Sequence, residues 1–131
     1  MKSPVTGFSH VQLLVRDLHT SERWYTTVLG FDRLAADESI GYVALRHERS
    51  GVAVVLSTGA EEPGHDSALD HLAFAVPDGD TLAQWAEHLR AAGIAHDGIV
   101  LELGKPSLQL RDPDGNAIEL VAPAVRGATP R

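Results

Sequence analysis

Apolar and polar positions alternate along residues 8–15. Val11, Leu13 and Val15 fall on one face and Phe8, His10, Gln12 and Leu14 on the other, which predicts a β-strand with both faces in use. Thr20 and Ser21 then offer helix-start chemistry, Trp24, Tyr25, Val28 and Leu29 form an apolar stripe, and Gly30 supplies a stop. A helix of about three turns fits that interval. Three short strand-like runs follow, near 31–36, 40–47 and 51–57, separated by polar or glycine-containing turns such as Glu48-Arg49-Ser50-Gly51. The first part of the chain therefore reads β-α-β-β-β. An acidic stretch, Glu61-Glu62-Pro63-Gly64-His65-Asp66, breaks every periodicity and reads as a linker. Beyond it, Asp80 is a candidate cap for a helix carrying Leu82, Trp85, Ala86 and Leu89 at helical spacing and ending at Gly93. Strands are expected near 94–97, 99–102, 107–111 and 116–122. Asp112-Pro113-Asp114-Gly115 has the composition of a type I turn and predicts a hairpin between the last two. The tail, 124–131, has no pattern and is expected to fray.

The two parts are copies. Ser9-His10-Val11-Gln12-Leu13-Leu14-Val15-Arg16-Asp17 lies over Asp70-His71-Leu72-Ala73-Phe74-Ala75-Val76-Pro77-Asp78, and Trp24 lies over Trp85, all at an offset of 61. Nearer the ends of the copies, Gly51, Ala53 and Leu56 match Gly115, Ala117 and Leu120 at an offset of 64, so the second copy has about three extra residues. In this register Glu119 stands opposite Val55. The expected fold class is α+β: one domain over 1–131, with module one at about 5–60 and module two at about 67–123.

Composition narrows the chemistry. At 131 residues the chain is long enough for a single domain that buries roughly two-thirds of its unfolded surface. The net charge of −7, without a basic stripe, argues against nucleic acid and anionic membrane as partners. Without cysteine there is no disulfide, thiolate nucleophile or cysteine zinc site, so any metal must use His, carboxylate or amide ligands. The start, Met1-Lys2-Ser3-Pro4-Val5-Thr6, lacks a signal-length apolar stretch and no later run reaches a membrane span, so a cytoplasmic location is expected.

Helices need apolar strand faces, which assigns Val11/Leu13/Val15, Leu72/Phe74/Val76, Ile118/Leu120 and Leu108/Leu110 to the helix side. The opposite face then holds His10, Gln12, His71, Ala73, Ala75, Ala117, Glu119 and Val121, with Ser107, Gln109 and Arg111, and by module equivalence Tyr42, Ala44 and Arg46. Small residues mixed with hydrogen-bonding groups describe a ligand cavity better than a packed core. Glu119, between apolar neighbours on a covered strand, must be paired, protonated or metal-bound. A single histidine is ordinarily a hydrogen-bonded core or edge residue; two pseudo-equivalent ones with an inward glutamate point to ligation. Imidazole with carboxylate suits Fe, Mn, Zn, Ni or Co, and two His with one carboxylate is the arrangement of mononuclear Fe(II) oxygenases. His19, His47, His88 and His96 fall where solvated imidazole is the default, and His65 is a candidate acid or base in the linker. Arg46 and Arg111 suit an anionic substrate group or, beside turns, are solvent-facing charges. Gln12 suits a contact to substrate or to a ligand histidine. Trp24, Trp85 and Tyr25, at helical spacing, read as helix-to-sheet core rather than an aromatic binding box. Motifs for phosphate cradling, a nucleophile elbow or a His-Glu-x-x-His helix are absent.

This pattern, with His10 on strand one, His71 opening module two and Arg111-Asp112-Pro113-Asp114-Gly115-Asn116-Ala117-Ile118-Glu119-Leu120 near its end, resembles the vicinal oxygen chelate superfamily over residues 5–123. That superfamily includes glyoxalase I, bleomycin-resistance proteins, fosfomycin-resistance enzymes, extradiol dioxygenases and methylmalonyl-CoA epimerase. The resemblance implies paired βαβββ modules forming a curled mixed sheet around a central cavity, with helices outside. It implies one divalent ion held by His10, His71 and Glu119, with Glu119 also the candidate catalytic residue. A small-molecule substrate would be met by Gln12, Tyr42, Arg46, Ser107, Gln109 and Arg111, and a homodimer is the expected assembly. Glyoxalase I carries a metal-binding ligand where this chain has Val55. Ser107 matches a substrate-side serine of fosfomycin-resistance enzymes, whereas the tyrosine two residues later in that pattern is Gln109. Dioxygenase and isomerase or lyase chemistry both stay open, with a slight edge to the former, and the alternative is a drug- or metabolite-binding protein without turnover.

Overall fold

Each copy folds as one helix laid on its own four-stranded sheet. The computed structural model describes residues 8–58, 69 and 71–124. Module one runs β1 (Val11–Leu14), α1 (Leu18–Leu29), β2 (Asp32–Asp37), a 3-10 turn (Glu38–Ile40), β3 (Tyr42–Arg46) and β4 (Ala53–Ser57). Module two runs β5 (His71–Ala75), α2 (Gly79–Ala91), β6 (Ile99–Glu102), β7 (Lys105–Arg111) and β8 (Ala117–Val121). Strand order is β1-β4-β3-β2 in one sheet and β5-β8-β7-β6 in the other. The first pair of each is parallel and the remaining pairs are antiparallel. The α+β class and the paired βαβββ modules are as expected; the mixed sheet is two separate sheets, with no strand shared among the described residues. The chain divides into two compact units, Met1–His65 and Asp66–Arg131. The expected linker, His65 and residues 125–131 lie outside the described residues.

Both helices start earlier than the apolar stripes indicate, and for the same reason. Asp17 has extended dihedrals and its Oδ1 accepts from the Thr20 amide at 2.8 Å, while Asp78 does the same for Thr81 at 2.7 Å. Each satisfies an amide that the first turn leaves without a partner, so Asp17 and Asp78 replace Thr20/Ser21 and Asp80 as caps. These hydrogen bonds hold both carboxyls below the usual aspartate range. Gly30, at φ 74, closes α1 in the left-handed conformation expected of a C-terminal stop.

The expected strand at 94–97 is a loop. His96 is the cause: its Nε2–H donates to the Ala86 carbonyl at 2.9 Å, and its Nδ1 accepts from the Gly98 amide at 3.0 Å. The imidazole thus straps residues 94–98 to α2 and uses the neutral tautomer to do so. The edge strand of that sheet is β6 instead.

Of the positions that alternation assigned to the helix side, Leu13, Val15, Leu108, Leu110, Ile118 and Leu120 are buried and Val11, Leu72, Phe74 and Val76 are half-buried. Leu13, Val15, Tyr25, Val28, Leu45, Val54 and Leu56 are buried in module one, and Leu82, Leu89, Leu108, Leu110, Ile118 and Leu120 in module two. Each such side chain contributes about 1.5–3 kcal/mol by leaving water. Tyr25 is fully buried, edge-on to Trp24 with ring centres 4.9 Å apart. Trp85, half-buried, stacks on His88 at 4.6 Å. Among the described residues no helix is long and apolar enough to cross a membrane.

Candidate metal centre

Strand register turns the repeat into geometry. Gln12 pairs with Val55 across β1 and β4, and Ala73 pairs with Glu119 across β5 and β8. Gln12 to Ala73 is 61 residues and Val55 to Glu119 is 64, so the two offsets in the sequence are the two strand equivalences of one duplicated sheet. Ala44 pairs with Val55 as Gln109 pairs with Glu119, and Arg46 with Ala53 as Arg111 with Ala117. Arg46 and Arg111 are therefore equivalents, as are Tyr42, opposite Ser57, and Ser107, opposite Val121.

In module two the face opposite α2 brings His71 and Glu119 together. The ring sits one step along β5 from Ala73, diagonal to the carboxylate, and its Nε2 lies 3.8 Å from Glu119 Oε2. Glu119 is only 8% exposed, whereas His71 is exposed. A buried carboxylate paired with a half-open imidazole is poorly compensated in the protein alone. Two donors bound to one ion at ~2.1 Å each stand roughly 3.0–3.6 Å apart for angles between 90 and 120°. The observed 3.8 Å needs closure of only a few tenths of an ångström. The pair fits a divalent ion in distance and in ligand chemistry.

In module one, His10 lies immediately before β1 and is exposed, and its Nδ1 is hydrogen-bonded to Ser9 Oγ at 2.9 Å. One ring nitrogen is thereby engaged and Nε2 is left for another partner, the division of labour found in ligand histidines. Among the described residues no group of three His, Asp or Glu side chains is assembled. The structure thus brings together two of the three expected ligands, both in module two.

The expected substrate-side residues divide by what they touch. Gln109 is exposed beside Glu119. Ser107 is buried and its hydroxyl donates to the Lys105 carbonyl at 3.3 Å. Arg111 is exposed and donates to the Gly115 carbonyl at 3.1 Å, bracing the hairpin, while Arg46 is exposed at the equivalent position. Tyr42 is half-buried opposite Ser57. Gln12 Nε2 donates to Ser57 Oγ at 3.0 Å. Ser57 was missed by the sequence reading, although the alternation Ala53, Val55, Ser57 puts it on the Gln12 face.

Asp112 is the second residue missed. Buried in the β7–β8 turn, its Oδ1 accepts from the amides of Asp114 and Asn116 at 3.0 and 2.8 Å, and its Oδ2 from Asn116 Nδ2 at 3.0 Å. The Gly115 amide closes the turn onto the Asp112 carbonyl at 2.9 Å, and Gly115 takes φ 83. This network sets the register that puts Gln109 opposite Glu119.

Residues 7–120 match the family model of the Glyoxalase/Bleomycin resistance protein/Dioxygenase superfamily. A crystal structure of a glyoxylase/bleomycin resistance protein/dioxygenase domain from Frankia sp. EAN1pec is 30% identical, with a TM-score of 0.78 over 94% of this chain and 95% of that one. The metallothiol transferase FosB of Staphylococcus epidermidis is 26% identical over 123 residues, 88% of this chain and 81% of the relative. A catechol-2,3-dioxygenase of Bacillus subtilis is 32% identical over 137 residues, and the chain spans 45% of that relative's length.

Proposed function

This chain belongs to the Glyoxalase/Bleomycin resistance protein/Dioxygenase superfamily, and we propose that it is a metal-dependent enzyme of the vicinal oxygen chelate type acting on a small substrate with two neighbouring oxygens. The observation that carries this reading is the His71–Glu119 pair, a carboxylate 8% exposed with an imidazole nitrogen 3.8 Å away. His10, the strand equivalent of His71, is the proposed third ligand, completing the two-His-one-carboxylate set that suits Fe, Mn, Zn, Ni or Co. The two units are proposed to form a single domain, and a homodimer is the proposed assembly. When bound, the ion supplies a Lewis acid with open positions for the substrate's two oxygens.

The chain's own residues supply the rest. Glu119 brings negative charge to a covered strand position, and Gln109 opposite it offers an amide that hydrogen-bonds without titrating. Val55 at the pseudo-equivalent position contributes no carboxylate, and the resulting three-ligand set favours the dioxygenase-like over the isomerase-like branch.

Metal analysis of protein purified without chelator tests the proposal. About one equivalent of metal is expected, falling in His10→Ala, His71→Ala and Glu119→Ala; less than about a tenth of an equivalent, indifferent to those substitutions, defeats it. Metal-free protein would leave binding without turnover as the surviving reading. Anaerobic loading with Fe(II) or Mn(II) followed by oxygen uptake over a catechol panel then separates the two branches.

A further inference from the structure

Module one carries a polar pair on the substrate-facing side that the metal does not explain. Gln12, exposed on β1, donates through Nε2 to Oγ of Ser57, 3.0 Å away and buried on β4. Beside the pair stand Val55, the Cα partner of Gln12, and Tyr42, the Cα partner of Ser57. An amide bonded to a hydroxyl keeps one complementary set of functions. With Nε2 donating, Gln12 Oε1 remains an acceptor and Ser57 Oγ–H a donor; with the amide turned over, Nε2 becomes the donor and Oγ the acceptor. In both orientations one donor and one acceptor stand side by side. A hydroxyl group satisfies both at once, since it donates and accepts, whereas a carbonyl satisfies only the donor.

We propose that Gln12 and Ser57 form a hydroxyl-recognising subsite for an alcohol or phenol carried on an apolar body, with Val55 and Tyr42 as its apolar walls. Ser57 supplies one of the two functions, and its bond also holds an otherwise rotatable amide in register with the face. The subsite rests on the proposed function only in taking this face as the one that meets substrate, and it lies wholly within module one.

The test uses the full chain with chelator present, so that its outcome is separate from that of metal analysis. Catechol and o-xylene, in which methyls replace the hydroxyls, are titrated against 15N-labelled protein while the side-chain amide resonances of Gln12 are followed, assigned by their loss in Gln12→Leu. Catechol is expected to shift those resonances and to bind more tightly than o-xylene. Ser57→Val should weaken catechol about 2- to 12-fold, the equivalent of one hydrogen bond, while Ser57→Thr of the same volume stays within about twofold of the parent and o-xylene responds to neither. Equal catechol affinity in the Val and Thr variants, o-xylene binding as tightly as catechol, or Gln12 resonances that catechol leaves unmoved would each overturn the proposal.

Discussion

Replacing Glu119 by leucine should stabilise the metal-free protein while abolishing the proposed metal binding. The carboxylate is 8% exposed on β8, between Ile118 and Leu120 in the chain and between Ala73 and Gln109 across the sheet. Its imidazole neighbour, His71, lies at 3.8 Å and is itself exposed, so the pair returns little of the carboxylate's desolvation. Exchanging a poorly compensated buried ion for an apolar side chain of similar volume is worth about 1–4 kcal/mol in stability. Loss of the His71 contact subtracts at most ~1 kcal/mol, because the imidazole is exposed and solvated by water. The net expectation is a gain of up to roughly 3 kcal/mol, which for a chain of this length raises the unfolding midpoint by up to roughly 11 °C. Calorimetry at neutral pH with chelator present reads that gain directly. Repeated with one equivalent of Zn(II) or Mn(II), it should show stabilisation of the parent and none of the variant. A metal-free Glu119→Leu protein destabilised by more than about 1 kcal/mol would refute the reasoning, for it would mean that the carboxylate is structurally satisfied without an ion.

Two further outcomes test the scaffold. Asp112→Ala removes three hydrogen bonds from the β7–β8 turn and should cost about 2–4 kcal/mol, measured by urea unfolding, together with a loss of metal affinity because the Gln109–Glu119 register slackens. Asp17 has its pKa held below the ordinary 3.8 by the Thr20 amide, so its stabilising effect is complete above about that pH and is lost as pH falls through the lower folded value. Asp17→Asn keeps the cap without the titration and should flatten the acid side of the stability profile below about pH 4; an unchanged profile would show that the cap does not contribute to it.

What could be read from sequence was whatever repeats or alternates. The 61 and 64 offsets are strand equivalences, and period-two alternation placed Leu108, Leu110, Ile118 and Leu120 under the helix and Gln109 and Glu119 opposite. Features set by one side chain reaching back to the backbone escaped. Asp17 and Asp78 lie in matched positions of the repeat, yet the apolar stripe drew attention to Thr20, Ser21 and Asp80 instead. The run 94–97 was expected to be a strand, and only the fold reveals that both nitrogens of His96 are used to make it a strap. Ser57 matters through Gln12, 45 residues away, a separation that no local window spans.

Because β1-β4-β3-β2 and β5-β8-β7-β6 close their hydrogen bonding separately, a change on one sheet leaves every strand pair of the other intact. Val55 and the Gln12–Ser57 bond thus set module one apart without touching the strand pairing that holds Glu119 opposite Ala73. Each half can therefore be rebuilt and assayed with the other half's sheet serving as the unaltered internal reference.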